Sequence, residues 1–224
     1  MHHSGIRAYI MKLFYRLLYN EFAWTYDLVA WLVSFGQWKS WGRTIIPHIG
    51  TRSRRILELA SGPGHLLVSM SQQGLKPIGI DISPAMCRLA TRTLHGAGVS
   101  VPIVRARAQA LPFQDNSFDC SVATFPTEFI FNPATLREVA RVICQTSEQV
   151  PDNSWQMGIV GWVRFGQHTI PSRLLDWLYC VTGQGEPSVD IGDDILKQAG
   201  FESQVVASRV GHNDVMLVLA RQKE

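Results

Sequence analysis

Residues 55–60 (RILELA) form a short apolar run that ends in the turn Ser61-Gly62-Pro63-Gly64, and residues 65–73 continue with helical texture as far as Gly74. A strand passing through a glycine turn into a helix is the start of a β-α-β unit, which belongs to a parallel sheet covered on both faces. A second apolar run at 77–82 (PIGIDI) contains Asp81, nineteen residues after Gly62. In an open parallel sheet, ligands bind beyond the carboxyl ends of the strands, where the strand order switches. Glycines there let the backbone approach a ligand, and the helix start offers N–H groups and a positive dipole end. An acid ending the next strand can accept two charge-assisted hydrogen bonds from ribose hydroxyls. The pattern predicts a ribose nucleotide over Gly62 and Gly64 and beside Asp81. The alternative is that Asp81 only caps the helix that follows.

The same alternation continues along the chain. Residues 84–94 read as a helix with Ser83 as N-cap and Pro84 in the first turn. Further strands are expected at 101–104, 118–124 and 155–163, with helices at 133–143, 171–181 and 192–199. Two closing strands, 203–210 and 214–220, are joined by the short polar turn at 211–213 and must pair antiparallel. The expectation is an α/β fold: a doubly wound, mostly parallel, seven-stranded sheet with an antiparallel C-terminal hairpin.

Composition narrows the function. Charged residues make up 17% of the chain, against roughly 25% in an average globular protein, and 46% are hydrophobic. A net charge of +3 is too small to suggest a nucleic-acid partner. Cys87, Cys120, Cys144 and Cys180 are widely spaced, with no C-x-x-C pair, so reduced thiols, no metal site and a cytoplasmic location are expected. Lys12 and Arg16 interrupt the apolar stretch 6–18, which argues against a signal peptide. The run 28–33 is far below the roughly 20 residues that span a bilayer. Peripheral contact with a membrane stays open, and oligomeric state is not legible.

Four of the seven tryptophans (Trp24, Trp31, Trp38, Trp41) crowd into the N-terminal stretch. Residues 6–46 read as helical, and Trp24, Trp31 and Trp38 share a face if one helix runs through them, although Gly36 interrupts the pattern. They form either a core-facing stripe or an aromatic wall over a ligand site. The whole chain, 1–224, reads as one domain, with a helical cap at 1–50 and an α/β core at 51–224.

A dinucleotide site calls for a third glycine three residues after Gly64, but Leu67 stands there. Glu58, four residues before Gly62, is also unsuited to a pyrophosphate and suited to a ligand with a positive end. With these residues in view, ILELASGPGHL (56–66), GIDISPAMCRLA (79–90) and AQALPFQDNSFDCSVATF (108–125) resemble the successive motifs of class I S-adenosylmethionine-dependent methyltransferases. They are most similar to the small-molecule branch that includes the ubiquinone/menaquinone biosynthesis methyltransferases. Residues 20–43, with the pair Tyr26-Asp27, are similar to that branch's helical cap.

The resemblance implies a Rossmann-like fold with S-adenosylmethionine as cofactor, and it distributes roles. Glu58 would lie near the cofactor's ammonium, Ala60, Ser61, Gly62 and Gly64 would pass beneath it, and Asp81 would hold the ribose. Ile82 and Met86 would pack on the adenine, with Ala108 and Gln109 at its edge. Thr124 and Phe125 would face the sulfonium and a small, apolar, even lipophilic acceptor carrying an O, N or C nucleophile. A sulfonium loses its charge on methyl transfer, so alignment at roughly 3–3.5 Å is the main requirement. Aromatic faces such as Tyr26 and Phe125 can stabilise the cation.

Three positions depart from the family pattern. Arg107 replaces an acid that accepts from the adenine amino group, and a guanidinium has no acceptor. Ala60 replaces a glycine, and residues 144–154 replace a Pro-Gly-Gly turn. No catalytic set stands out. Tyr26, His65 and Glu128 are the candidates; His65 and Glu128 each have a structural alternative. Two rival functions follow: a methyltransferase-fold protein that has lost transfer and only binds, motivated by Arg107, and a nicotinamide-dependent oxidoreductase, disfavoured by Leu67 and Glu58.

Overall fold

The computed structural model describes residues 34, 36–49, 55–144, 155–165 and 189–223. Helix α1 (Trp38–Arg43) and a 3-10 turn (Ile46–His48) precede β1 (Arg55–Leu59), α2 (His65–Gln72) and β2 (Lys76–Asp81). Helix α3 (Pro84–Gly96), β3 (Ile103–Arg105) and β4 (Cys120–Thr124) follow. A second 3-10 turn (Glu128–Phe131) leads to α4 (Pro133–Val142) and β5 (Met157–Phe165). The last elements are α5 (Val189–Gln198), β6 (Phe201–Val210) and β7 (Asn213–Gln222).

The seven strands lie in the order β3-β2-β1-β4-β5-β7-β6. Every neighbouring pair from β3 to β5 is parallel, whereas β7 runs antiparallel to both β5 and β6. The chain winds outward from β1 to β3 and then returns to β4 on the other side of β1. The order therefore switches between β1 and β4, beside the glycine turn.

Alternation along the strands divides the core into two layers. Leu57 and Leu59 of β1 join Leu136, Val139 and Val142 of α4 and Leu196 of α5 on one face. Ile56 joins Trp41, Ile45, Ile49, Leu66, Leu67 and Met70 on the other. A bulge between Val160 and Trp162 shifts the register of β5, after which Trp162 returns to the first layer and Val163 to the second.

The strand and helix bounds differ from the expected ones by a few residues. The third strand begins at Ile103, past Pro102, whose carbonyl still accepts from Gly79 N at 3.0 Å. Phe118 makes only an isolated bridge, to Ile143. The expected helix at 171–181 lies outside the described residues, as do Trp24, Tyr26, Asp27, Trp31 and Cys180.

The expected helix over 6–46 lies mostly outside the described residues, and within them it does not run unbroken into Trp38. Gly36 adopts φ 77°, a left-handed conformation that does not continue a helix, and α1 begins at Trp38. The segment after α1 then docks on the sheet. A Cβ added to Gly158 of β5 would stand 2.7 Å from Ile45 Cδ1, so a glycine is needed for this close approach.

Candidate active site

The turn after β1 carries unusual backbone geometry. Ala60, Gly62 and Gly64 have φ of 51°, 52° and 80°. For Ala60 this left-handed conformation costs about 1–2 kcal/mol that a glycine would not pay. Ser61 N donates to Ile80 O at 2.8 Å and Gly64 N to Ser61 O at 3.0 Å, which pins the turn to β2. A Cβ on Gly64 would press on Ala90 of α3 at 3.2 Å, whereas one on Gly62 would meet nothing within 4 Å. Open space above Gly62 is what a ligand crossing the turn requires.

Leu67 occupies the position where a dinucleotide fold has its third glycine, and the room comes from the opposite element. A Cβ on Gly79 of β2 would stand 2.6 Å from Leu67 Cδ1 and 2.9 Å from Ser61 Oγ. Helix α2 and β2 thus approach closely with the small residue on the strand rather than on the helix.

Asp81 ends β2 with its side chain buried and both oxygens engaged. Oδ2 accepts from Gly62 N at 3.0 Å, and Oδ1 accepts from Ser83 N at 2.8 Å. The cap of α3 is Ser83, whose hydroxyl accepts from Met86 N at 3.2 Å, so Asp81 is not the helix cap. Burial pushes the Asp81 carboxyl above its ordinary pKa, and the amides of Ser83, Gly62 and Ile82 oppose that shift.

Glu58 lies on β1 between Gly79 of β2 and Val122 of β4, and is only 1% exposed. Its Oε2 has no hydrogen-bond partner. Desolvation first, and the nearby Asp81 second, hold its carboxyl well above the usual carboxylate range. Ser61 Oγ is likewise buried and without a partner. Two orphaned polar atoms on one side of a glycine turn fit a polar, positively charged ligand group.

The expected adenine contacts separate. Ile82 is 56% exposed, the large hydrophobic side chain most open to solvent among the described residues. Met86 is fully buried in the ligand-free chain. It sits in the first turn of α3, where its amide donates to Ser83 Oγ, while Ile82 offers an exposed apolar face. Ala108 is buried in a turn closed by Ala110 N donating to Arg107 O at 3.1 Å, and Arg107 itself is exposed.

Gln109 lines an open groove of about 500 Å³ together with Glu128, Phe129, Phe131, Asn132 and Ile195. Glu128 therefore belongs to the Gln109 side of the molecule. His65 begins α2 directly after the glycine turn and is half-buried.

At the end of β4, Phe125 takes φ 46°, an outlier for a bulky residue, with its amide donating to Val160 O at 2.8 Å. Its ring lies 4.2 Å from that of Trp38 and 6.4 Å from that of Trp41. The two tryptophans have different fates. Trp41 is fully buried in the core, whereas Trp38 is half-buried and stacks on Phe125. Gly42 of α1 sits over Thr124, whose Cγ2 would be 3.6 Å from an added Cβ.

One bracing pair escaped the sequence reading. Arg141 of α4 donates through Nη2 to Leu111 O at 3.0 Å and through Nη1 to Phe113 O at 2.8 Å. Glu138 accepts from Leu111 N at 2.7 Å and from Arg141 Nε at 2.9 Å. Together they fix the loop that carries Ala108 and Gln109. The signal was the charged i, i+3 pair on a helix with an otherwise clear apolar stripe.

Residues 56–146 match the family model of a methyltransferase domain. Over 111 residues the chain is 34% identical to a demethylmenaquinone methyltransferase of Thermus thermophilus, covering 48% of this chain and 50% of that protein. Over 115 residues it is 37% identical to a ubiquinone/menaquinone biosynthesis C-methyltransferase of Yersinia enterocolitica, covering 48% and 45%. The chain thus spans about half the length of the curated relatives it matches.

Two solved structures share the fold. A geranyl diphosphate C-methyltransferase of Streptomyces coelicolor, in complex with Mg2+, geranyl diphosphate and S-adenosyl-L-homocysteine, superposes with TM-score 0.59 at 11% identity, covering 82% of this chain and 79% of that one. A SAM-dependent methyltransferase of Aquifex aeolicus gives TM-score 0.55 at 16% identity, covering 80% and 88%.

Proposed function

From the match of residues 56–146 to a methyltransferase domain we propose that the chain is a class I S-adenosylmethionine-dependent methyltransferase that moves a methyl group to an O, N or C nucleophile of a small apolar acceptor. One observation carries the reading: a fully buried glutamate with an orphaned oxygen beneath a left-handed glycine turn, beside a buried aspartate that ends the next strand. A dinucleotide has no use for that first acid, whereas a ligand with an ammonium group does.

Glu58 would hold the cofactor's ammonium and Asp81 its ribose, with the turn at 60–64 beneath and Ile82 against the adenine. Ala108 and Gln109 would border the adenine edge. The cofactor, when bound, supplies an electrophilic methyl on a cationic sulfur. The chain's own task is then to hold an acceptor in line and to exclude water. Thr124 and Phe125 line the acceptor side, and the Trp38–Phe125 stack closes it from α1. No base is required for that role, so Tyr26, His65 and Glu128 stand as helpers at most.

The names of two relatives, which act on demethylmenaquinone or in ubiquinone/menaquinone biosynthesis, support an apolar ring as acceptor. The reading extends to one domain over 1–224, with 1–50 as cap, acting in the cytoplasm. No described helix is long and apolar enough to cross a membrane.

Calorimetry with S-adenosylhomocysteine and with NADH tests the class. Micromolar binding of the first and none of the second is expected; the reverse result would sink the proposal. A second reading is favoured by the exposed Arg107 where the family has an acid: a protein that binds the cofactor and transfers nothing. Binding without methylation of any quinol, phenol or amine in a panel would select it.

A further inference from the structure

The placement of Glu58 has a consequence for ligand entry. Strand β1 turns Leu57 and Leu59 to one core layer, and Ile56 to the other. Glu58 shares the side of Ile56 by alternation, the side on which α1 and α2 pack, and it is 1% exposed. An isolated carboxylate in such a place is costly, and a buried acid without a partner keeps its proton instead.

The neighbouring groups do not relieve this. Asp81 is the charged group that acts on Glu58, and it has the same sign. Arg43 of α1 directs its Nε to Ser69 Oγ at 2.9 Å. Helix α2 contributes His65 at its first residue, and β4 contributes Cys120, a buried thiol whose ionisation is strongly disfavoured by burial. On α3, the Cys87 thiol donates to the Asp81 carbonyl oxygen at 3.6 Å. Between the two acids, Asp81 has two backbone donors on its oxygens and Glu58 Oε2 has none, so the proton resides on Glu58.

We infer that Glu58 is an uncharged carboxyl in the free protein that ionises only against a cationic ligand group, so that a nucleoside bearing an ammonium binds with release of one proton, and the same nucleoside without it binds with none. The inference rests on the cofactor reading above. The exchange balances: the Glu58 O–H bond breaks, the proton passes to solvent, and the carboxylate pairs with the incoming ammonium. Glu58 thereby acts as a selector for the amino-acid end of the cofactor.

The test is calorimetry at pH 6 in two buffers of different ionisation enthalpy, which counts protons exchanged on binding. S-adenosylhomocysteine is expected to release close to one proton and 5′-methylthioadenosine none; their difference cancels any titration at Asp81 that the shared nucleoside causes. Between pH 5.5 and 7 the affinity for S-adenosylhomocysteine should rise about tenfold per unit, following one proton lost on binding. In Glu58→Gln both the release and the pH dependence should vanish.

Tight binding of S-adenosylhomocysteine with no proton exchange would overturn the inference and leave the cofactor reading intact. Release retained in Glu58→Gln would overturn it too. Failure of S-adenosylhomocysteine to bind in any buffer would overturn the cofactor reading, and this inference with it. Should Glu58→Gln not fold, the comparison of the two ligands on the wild-type chain still decides.

Discussion

The amide of Gly62 donates to Oδ2 of Asp81 at 3.0 Å, so the acid that ends β2 holds the glycine turn that ends β1. The other oxygen takes the amide of Ser83, and one carboxylate therefore joins the two loops that border the crevice. Asp81→Ala leaves two buried amides unpaired, at about 1–3 kcal/mol each. We expect S-adenosylhomocysteine affinity to fall at least 100-fold by calorimetry, with Asp81→Asn losing less because one acceptor oxygen remains. Near-normal affinity in Asp81→Ala would show that the acid serves the loops and no ligand.

Glu58 should leave its mark on stability. Its carboxyl is raised above the ordinary value of 4.5, so from that pH upward the folded chain binds more protons than the unfolded one. Stability then falls as pH rises from 4.5 toward the raised pKa, and Glu58's contribution is most adverse above it. Glu58→Gln should melt higher than wild type at pH 7, by about 2–4 °C per kcal/mol recovered. The difference between the two melting curves should shrink to nothing near pH 4. A difference that is independent of pH would contradict the assignment.

Trp38 and Phe125 make a stack whose loss can be read directly. Phe125 is held at φ 46°, and a strained backbone of this kind persists when its surroundings over-determine it. Trp38→Ala should cost about 2–3 kcal/mol in denaturant unfolding, from lost burial and the aromatic pair. Trp38→Phe should recover most of that. If Trp38→Ala is as stable as wild type, α1 does not clamp the end of β4.

Gly79 and Leu67 form a size-matched pair across β2 and α2. Gly79→Ala places a methyl 2.6 Å from Leu67 Cδ1, and should destabilise by about 1–3 kcal/mol through overpacking. Leu67→Ala removes the obstructing atom, so the two substitutions should couple by at least about 0.5 kcal/mol in a double-mutant cycle. Strict additivity would mean that the methyl is accommodated elsewhere.

Much of the molecule was legible in the chain. The glycine turn, the alternation of apolar runs and the Ser83-Pro84 helix start depend on backbone conformation and periodicity, which neighbouring residues control. They led to the strands, most helices and the closing antiparallel pair without any knowledge of contacts. The proximity of Asp81 to the turn was also readable, because parallel pairing of β1 with β2 puts both strand ends at one edge.

Other features existed only after the layers closed. That Met86 is buried while Ile82 is exposed depends on how α3 settles against the sheet, and a motif cannot rank the two. The division of labour between Trp41, buried in the core, and Trp38, stacked on Phe125, follows from the left-handed turn at Gly36 and the docking of Ile45 against Gly158. The orphaned oxygen of Glu58 has the same origin. Sequence alone determined that an acid would stand before the glycine turn; tertiary structure decided that it would stand there dry, because desolvation is a property of everything packed around a group and of no residue by itself.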